Sequence, residues 1–500
     1  MDTAFPGADI HKPLSKLEVS IEASRCLYCY DAPCMDACPS DIDIPGFIWQ
    51  IADGNIKGSA RTILHSNALG ASCARVCPVS ELCEGACVYH HDENPIRIGD
   101  LQRYATDHLR ETGEMVFEAG PDTGKKVAII GGGPAGLATA RDLRRFGHAV
   151  TIFDAHQDLG GLNTYGIVPF RLSTEVALWE ADQVVRMGVT VKDNTRVGVD
   201  VQMDDLVKDF DAVVIACGMG GVPSLMIEGE ERAWDALDFI ERAKTGQPLQ
   251  GELGDHVAVI GAGNTAIDAL TCAKRLGVER VTCYYRRGEE SMTAYDFEYE
   301  FAKQEGIEFR LFCAPVKIDD DGLHLVKTKV ENGRLHTVPG TEFVEKVTTV
   351  ISAIGQGRLL DTLETLGVHL DDGVVRVTDD MATTRKGVFA AGDAIYAKGQ
   401  REAMVVEAAK QGRVAAASIE AYLMPERQPA PAKPLPQLVP AGHSHGRVSG
   451  KVTAYPVLAN PTAPARVITS NVRTDASVIL RSEPFDTAQD KLRERLEGQN

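Results

Sequence analysis

Apolar and polar positions follow the same order along two stretches of the chain. Each stretch combines short apolar runs, a glycine-rich turn and a longer segment with apolar residues at helical spacing. The first has runs at 125–130, 148–154 and 212–218 with a helical segment through Arg145, and the second has runs at 256–260, 280–285 and 350–355 with a helical segment to Leu276. Short apolar runs that alternate with helices are typical of buried parallel strands. The repetition therefore predicts two doubly wound α/β units.

The turn of the first unit carries three glycines at fixed spacing. Gly131, Gly133 and Gly136 form a Gly-x-Gly-x-x-Gly turn between a strand and a helix. Such a turn lets a pyrophosphate approach the backbone and points the helix N-terminus at the negative charge. Asp154 ends the next strand, where an acidic side chain can accept hydrogen bonds from a ribose hydroxyl. We therefore predict a dinucleotide site on this turn.

The second unit carries the alanine-ended variant of the same turn, from Gly261 through Gly263 to Ala266. Arg286 and Arg287 stand where an NAD site would carry an acidic residue. Guanidinium groups suit the 2′-phosphate of NADP, so the pair favours that coenzyme. The alternative is that both arginines are solvated surface charges.

A third glycine-containing segment, 387–393, resembles the end of a flavin-binding unit. Asp393 follows an apolar strand and precedes a helix that the pattern predicts over 402–418. An aspartate in this position can reach the ribityl chain of a flavin. The order of the segments predicts a flavin domain that is interrupted by a nicotinamide domain. The fold class is thus α/β, with two Rossmann-like domains for FAD and NAD(P) that follow an α-helical iron–sulfur domain.

That N-terminal domain is predicted from the cysteines. Eight of the twelve cysteines lie between Cys26 and Cys87, and helix-like patterns cover 44–53 and 98–109. The eight form two runs: Cys26, Cys29, Cys34 and Cys38, then Cys73, Cys77, Cys83 and Cys87. A dense cysteine block in a long chain favours metal binding over disulfides.

The spacing of the cysteines favours clusters over zinc. Zinc sites usually pair two Cys-x2-Cys knuckles, whereas these spacings are uneven. Cys38 and Cys77 each precede a proline, and in ferredoxin-type runs the cysteine before proline ligates the other cluster of a pair. We predict two [4Fe–4S] clusters with crossed ligation, and structural zinc is the alternative.

Charge and hydropathy restrict the partners. The 500 residues carry a formal net charge of −19, which argues against nucleic-acid or anionic-membrane partners. No apolar run approaches the length of a membrane span, and the first 16 residues contain no apolar signal core. We expect a cytoplasmic protein.

The last part of the chain differs in composition. Six prolines between Pro425 and Pro440 predict a stiff linker. Beyond it, only short β-prone runs (451–458 and 465–472) and an amphipathic stretch near 485–496 stand out. We expect a loosely ordered appendage without chemistry of its own.

Several motifs together identify a resemblance. They are Cys26-x2-Cys29-x-Asp31-Ala-Pro-Cys34, Asn67-Ala-Leu-Gly70, Arg75-Val-Cys-Pro78 and Pro95-Ile-x-Ile-Gly99-x-Leu-Gln102-Arg103. With them, residues 17–425 resemble the flavin and iron–sulfur half of dihydropyrimidine dehydrogenase. In bacteria that half is a separate subunit, paired with an FMN-containing subunit that holds the pyrimidine site.

The resemblance implies a role for each matching residue. One cluster would take Cys26, Cys29, Cys34 and the amide oxygen of Gln102, and the other would take Cys38, Cys77, Cys83 and Cys87. FAD would lie on Gly131, Gly133, Pro134, Ala135, Gly136, Asp154, Gly161, Leu162, Arg171, Val197, Gly392 and Asp393. The nicotinamide coenzyme would lie on Gly261, Ala262, Gly263, Asn264, Thr265, Arg286, Arg287, Ala353, Ile354 and Gly355. Cys73 is left over in this assignment.

The resemblance also implies a function. The chain would oxidise NAD(P)H through FAD and both clusters and pass electrons to an FMN-containing partner that reduces uracil or thymine, in a heterotetramer. No catalytic side chain is required on this half. Thr293 stands where NADPH-using relatives carry another basic residue, and the bacterial two-subunit enzymes use NAD, so the coenzyme is written NAD(P). The alternatives are the small subunit of glutamate synthase, the related subunit of ferredoxin–NADP oxidoreductase, and a non-enzymatic redox sensor.

The expected domain boundaries follow from these assignments. They are the cluster domain at 1–120, the FAD domain in two parts at 121–224 and 345–424, the NAD(P) domain at 225–344, and the linker and tail at 425–500.

Overall fold

The computed structural model describes residues 9–427 except 11, 248, 250–251 and 397–402. By its contacts the chain divides into two compact regions, Met1–Lys433 and Pro434–Asn500. Both α/β units lie within the first region. The expected linker beyond Arg427, the β-prone runs at 451–458 and 465–472 and the stretch 485–496 lie outside the described residues.

Six helices form the N-terminal part. They are α1 (Lys16–Arg25), α2 (Pro33–Asp36), α3 (Ile44–Ala52), α4 (Ile56–Ser66), α5 (Gly70–Val76) and α6 (Ile98–Thr112). The side chains of Ser15, Asp43 and Asn55 cap α1, α3 and α4, because each accepts a hydrogen bond from a backbone N–H of the first turn. Fully buried Phe47 and Leu101 lie in the apolar core that these helices share. The segments that contain the eight cysteines are thereby held in place by packed helices.

The first predicted α/β unit is confirmed as a five-stranded parallel sheet. Its strands have the order β16-β4-β1-β2-β3. They are β1 (Lys126–Ile130), β2 (Ala149–Phe153), β3 (Thr190–Lys192), β4 (Ala212–Ile215) and β16 (Val388–Ala390). The helices of this part are α7 (Pro134–Phe146), α8 (Leu162–Tyr165), α9 (Thr174–Val185), α10 (Met203–Asp209) and α15 (Val405–Leu423). Because β16 joins β4 from the far end of the sequence, the second unit interrupts the first.

The second unit has a parallel sheet of the same design, in the order β5-β13-β6-β7-β8. Its strands are β5 (Trp234–Asp235), β6 (His256–Ile260), β7 (Arg280–Tyr285), β8 (Glu308–Leu311) and β13 (Thr349–Ser352). Its helices are α11 (Ala236–Lys244), α12 (Asn264–Arg275) and α13 (Asp296–Gln304). Both glycine-rich turns follow the central strand of a sheet, where open α/β folds bind ligands.

An antiparallel sheet between β8 and β13 was not predicted. It contains β9 (Cys313–Asp319), β10 (Gly322–Glu331), β11 (Arg334–Thr337) and β12 (Phe343–Glu345). The hairpin between β10 and β11 turns at Asn332 and Gly333, which both adopt positive φ (51° and 73°), as a two-residue turn of this kind requires. Val316, Val330 and Val344 are exposed, so apolar side chains occur on both faces of these strands and obscure the alternation.

Smaller elements complete the described part: α14 (Leu360–Thr365) and the pair β14 (Leu370–Asp371) and β15 (Val374–Val375). The helix expected at 402–418 runs instead from Val405 to Leu423, and residue 402 lies outside the described residues. None of the described helices is both long and apolar enough to cross a membrane.

Candidate cofactor and cluster sites

The first glycine-rich turn is shaped by close backbone contacts. Gly131 has φ 99°, and a Cβ there would lie 2.4 Å from the carbonyl oxygen of Ala216. A Cβ on Gly136 would lie 2.0 Å from the oxygen of Gly131, because α7 packs tightly against β1. Gly133 faces open space instead, with only the Cα of Gly161 within 4 Å of its would-be Cβ. Gly133 and Gly161 leave a cradle next to the N-terminus of α7, and a pyrophosphate fits this cradle.

Asp154 holds this cradle together. Its carboxylate accepts hydrogen bonds from the backbone N–H of Gly132 at 2.6 Å and of His156 at 2.8 Å. We expected the side chain to accept from a ribose hydroxyl. A carboxylate has about four acceptor sites, and the His156 ring also lies 3.5 Å from one oxygen, so at least one site remains for that purpose.

The second turn repeats the geometry. Gly261 has φ 127°, and a Cβ there would lie 2.1 Å from the oxygen of Ala353. At the start of α12, the side-chain oxygen of Asn264 accepts from the backbone N–H of Tyr295 at 3.2 Å. Arg286 is exposed and Arg287 is partly buried. Across the described residues, no carboxylate forms an ion pair with either guanidinium. Both charges remain available to an anionic ligand.

A cavity of about 1260 Å³ lies between the two α/β units. Such a volume exceeds that of an ordinary ligand pocket, as expected for two dinucleotides. Every expected dinucleotide contact except Gly136 lines it: Gly131, Gly133, Pro134, Ala135, Asp154, Gly161, Leu162, Arg171, Val197, Gly392, Asp393, Gly261, Ala262, Gly263, Asn264, Thr265, Arg286, Arg287, Ala353, Ile354 and Gly355. Burial raises the pKa of the Asp393 carboxyl to about 6.

Arg171 makes contacts that the sequence did not predict. Its guanidinium pairs with Asp268 at 2.7 Å and with Glu298 at 2.5 Å. Both acids lie on helices of the second unit, so Arg171 joins the two units at the cavity wall. Burial raises the pKa of Glu298 to about 7. Asp268 and Glu298 could not be found from the sequence, since no motif marks them.

Asn163, which lines the cavity, and its neighbour Lys244 were not predicted from the sequence. Asn163 is completely buried and lines the cavity, yet neither atom of its side-chain amide has a hydrogen-bond partner among the described residues. Lys244 donates from Nζ to the backbone oxygen of Asn163. Burial lowers the pKa of Lys244 to about 7. Buried amides in native proteins are nearly always paired with a protein group, a ligand or an ordered water.

The first group of thiols surrounds a small apolar pocket. Cys26, Cys29, Cys34 and Cys87 all line it, together with aliphatic side chains such as Ile48. Burial, with a smaller contribution from the neighbouring thiols, raises the pKa of Cys34 to about 12. Thiolates in this pocket would be stabilised by a cationic centre such as the iron of a cluster.

The second group surrounds Cys77 at the end of α5. The thiol of Cys77 donates a hydrogen bond to Cys73, which raises the pKa of Cys77, and Cys38 and Cys83 lie close enough to raise it further. Asn67 donates from its side-chain amide to the sulfur of Cys73 at 3.1 Å.

Two of the expected cluster ligands are placed differently from their assignment. Cys87 was expected beside Cys77 but lines the pocket of the first group. Gln102 was expected with the first group, but its amide nitrogen donates at 2.7 Å to the oxygen of Gly70, where the helix of Cys77 begins. The reason is tertiary: α6 packs along α5, and the chain turns at Cys87 back toward the first run. Cys38, the last cysteine of the first run, thus lies in the second group, and Cys87, the last of the second run, lies in the first group.

The spread of the thiols also bears on zinc. Among the described residues, no three side chains of His, Cys, Asp or Glu converge closely enough to hold a single metal ion.

Cys77 belongs both to the second thiol group and to the wall of the large cavity. Val76, Cys77 and Pro78 form part of the wall of the large cavity, opposite the first glycine-rich turn. One residue of the second thiol group thus borders the space that the dinucleotides would occupy.

The helix that carries Cys77 is held by the flavin unit. Glu180 on α9 is buried and accepts from the backbone N–H groups of Ala71 at 2.7 Å and Ser72 at 3.1 Å, and from the Ser72 hydroxyl. These donors and the helix dipole offset part of the cost of burying the carboxyl, whose pKa burial raises to about 7.

Comparisons with known proteins identify the family of each part of the chain. Residues 5–114 match the family described as dihydropyrimidine dehydrogenase domain II, 4Fe-4S cluster, and residues 125–412 match pyridine nucleotide-disulphide oxidoreductases. The NAD-dependent dihydropyrimidine dehydrogenase subunit PreT of Escherichia coli is 35% identical over 404 residues, 80% of this chain and 93% of that protein. The glutamate synthase [NADPH] small chain of the same organism is 34% identical over 449 residues, covering 83% and 93%.

A solved structure shares the fold. FprA of Mycobacterium tuberculosis, in complex with NADPH, superposes with a TM-score of 0.50 at 17% identity, over 60% of this chain and 84% of that one. At this identity the likeness concerns the fold of the two dinucleotide units alone.

Proposed function

This chain belongs to the pyridine nucleotide-disulphide oxidoreductase family and is an NAD(P)H-dependent flavin and iron–sulfur oxidoreductase, and we propose that it is the electron-input subunit of a dihydropyrimidine dehydrogenase. The partner would be an FMN-containing subunit that reduces uracil or thymine, in a heterotetramer. Overall, NAD(P)H, one proton and the pyrimidine would give NAD(P)⁺ and the dihydropyrimidine, a transfer of two electrons.

The cavity between the units supports the first half of this reaction. The cradle of Gly133 and Gly161 fits the pyrophosphate of a bound FAD. When bound, FAD supplies the conversion between a two-electron hydride donor and one-electron acceptors. The residues of this chain orient the two dinucleotides and exclude water between them.

The position of Cys77 is the observation that carries the proposed direction of electron flow. Cys77 borders the large cavity, while Cys38 and Cys83 extend the second group away from it toward the first. Cys34 in turn lies close enough to Cys83 to affect its pKa. The order would therefore be cavity, second cluster, first cluster and partner.

The geometry suggests a revised set of cluster ligands. The first cluster would take Cys26, Cys29, Cys34 and Cys87. The second would take Cys38, Cys77, Cys83 and the amide oxygen of Gln102, whose nitrogen is engaged by Gly70. Cys73 would remain a thiol that is held by Asn67.

The choice of partner rests on sequence motifs. Asp31-Ala-Pro33 and Gln102 favour the pyrimidine branch, because the glutamate synthase and ferredoxin–NADP branches tend to carry Glu in place of Gln102 and lack the Asp-Ala-Pro run. Identity to the two curated relatives is nearly equal and does not decide between them.

Purification of the native complex tests this proposal. We expect a co-purifying FMN-containing subunit, and reduction of uracil that consumes one NAD(P)H for each dihydrouracil formed. A co-purifying large subunit that instead turns 2-oxoglutarate and glutamine into glutamate would assign the chain to glutamate synthase. NAD(P)H oxidation with an artificial acceptor separates both from a sensor, which would turn over poorly.

A further inference from the structure

Helix α15 presents opposite faces to the expected flavin site and to the second thiol group. The side-chain oxygen of Gln411 accepts a hydrogen bond at 2.7 Å from the backbone N–H of Gly392, in the loop expected to hold FAD. Arg413 stands two positions further along, which is about 200° around an α-helix. The arginine therefore points away from the flavin loop and toward the helices of the N-terminal part.

Arg413 binds two segments that adjoin the second thiol group. Its Nη1 donates at 3.0 Å to the backbone oxygen of Ser40, two residues after Cys38, and at 2.7 Å to the backbone oxygen of Ser66. Ser66 ends α4, where the last carbonyl oxygens have no partner within the helix and a cation is favoured. The residue that follows is Asn67, which holds a thiol of the same group. The guanidinium is thereby fixed beside the group.

The helix that carries the arginine is itself firmly held. A Cβ on Gly412 would lie 2.4 Å from the backbone oxygen of Ala135, because α15 packs closely on α7. On the opposite side, the hydroxyl of Ser40 donates to the backbone oxygen of Val406 at 3.2 Å. Contacts on both sides of α15 therefore set the position of Arg413 relative to the second thiol group.

The charge of Arg413 is only partly compensated. The carboxylate that contacts it is Asp142, at 4.0 Å from Nε. Asp142 also pairs with Arg141 at 2.8 Å and with Arg145 at 3.2 Å. One acid thus serves three arginines, and a net positive charge remains beside the second thiol group. Addition of an electron makes a cluster more negative, so a nearby cation favours the reduced state.

We propose that Arg413 raises the midpoint potential of the cluster that the second thiol group holds. Its bonds to Ser40 and Ser66 keep the charge in a fixed place beside this group, on the face of α15 that is turned away from the flavin loop. A cluster of higher potential accepts electrons more readily from a reduced flavin. The inference rests on the proposed path from the cavity through the second cluster.

Arg413→Gln tests the proposal, because glutamine removes the charge and retains a donor for one carbonyl oxygen. In an anaerobic dye-coupled titration followed by EPR, the cluster that Cys77→Ser removes should show a more negative midpoint potential. The flavin and the other cluster should titrate as in the wild type. Arg145→Gln is the matched control, since this side chain is also 28% exposed and pairs with Asp142, yet within the described residues it binds neither of the two segments. It should leave both clusters unchanged.

Asp142→Asn provides a second test should the glutamine variant fail to fold. Loss of the carboxylate leaves more positive charge beside the second thiol group, so the same midpoint potential should become less negative. Arg413→Lys retains the charge and should stay near the wild-type potential. An unchanged potential in Arg413→Gln, or in Asp142→Asn if the glutamine variant does not fold, would overturn the proposal. A lysine variant as negative as the glutamine variant, or an equal shift in Arg145→Gln, would overturn it as well.

The titration also separates this inference from the proposed function. A chemical reductant sets the potentials, so the result for Arg413 does not depend on electron transfer from NAD(P)H. Wild-type clusters that the chemical reductant reduces and NAD(P)H does not would contradict the proposed path, while the shift in Arg413→Gln would still decide the role of this residue.

Discussion

Removal of the Glu180 carboxylate should loosen the helix that carries Cys77. Glu180→Ala leaves the N–H groups of Ala71 and Ser72 and the Ser72 hydroxyl without their acceptor. A buried donor left unpaired costs about 1–3 kcal/mol. Water that enters the vacated volume recovers part of this, so we expect about 3 kcal/mol lower stability for the pair of N–H groups.

The assay combines anaerobic denaturant unfolding with stopped-flow reduction by NAD(P)H. In Glu180→Ala the flavin should be reduced at the normal rate, whereas reduction of the clusters should be slower, because α5 no longer fixes Cys77 at the cavity wall. Glu175→Ala is the control on the same helix. Its side chain is 76% exposed and pairs with Arg110, and a surface pair of this kind contributes about 0–1 kcal/mol.

A stability within about 0.5 kcal/mol of the wild type, the range of ordinary surface substitutions, would refute this reasoning. So would an unchanged rate of cluster reduction in a destabilised variant, since it would show that electron transfer through Cys77 does not depend on the support of α5 by α9. Glu180→Gln keeps one acceptor oxygen and should lie between the wild type and the alanine variant.

Three further predictions concern the clusters, the coenzyme and pH. Gln102→Ala should change the EPR spectrum and midpoint potential of one cluster, whereas Cys73→Ser should leave both clusters in place; the reverse pattern would make Cys73 the ligand. Arg286→Ala should lower kcat/KM for NADPH about 10- to 100-fold and spare NADH if the pair binds a 2′-phosphate, and equal losses with both coenzymes would assign the arginine to another role. Burial lowers the pKa of Lys244 from 10.5 to about 7. At a pH between these two values the unfolded chain therefore binds one more proton than the folded chain. The stability of the wild type relative to Lys244→Met should therefore rise with pH across that window, by up to about 1.4 kcal/mol per unit, and parallel stability curves would contradict the assigned burial.

The parts that the sequence predicted well depend on local geometry. Gly131 and Gly261 occupy positive φ next to a neighbouring strand's carbonyl, so only glycine fits and the motif is visible in the sequence. The parallel strands were equally visible, because burial on both faces makes them continuously apolar. The antiparallel strands β9–β12 were missed, since their exposed side chains break the pattern.

Contacts between distant segments could not be predicted. Arg171 and Asp268 are 97 positions apart, and Glu180 and Ser72 are 108 apart. The exchange of Cys87 and Gln102 between the thiol groups has the same origin, since spacing identifies ligand types but the packing of α6 on α5 decides which group each one joins. Asn163 carries no motif at all, and only its burial without partners draws attention to it.

Reduction of the clusters in a Cys77→Ser variant tests the proposed electron path most directly. The wild type should contain about eight iron atoms per chain and the variant about four, since each [4Fe–4S] cluster holds four. On mixing with NAD(P)H under anaerobic conditions, the flavin of the variant should be reduced at the normal rate while the remaining cluster stays oxidised. Reduction of that cluster at the wild-type rate, despite the lost iron, would contradict a path that runs from the cavity through Cys77.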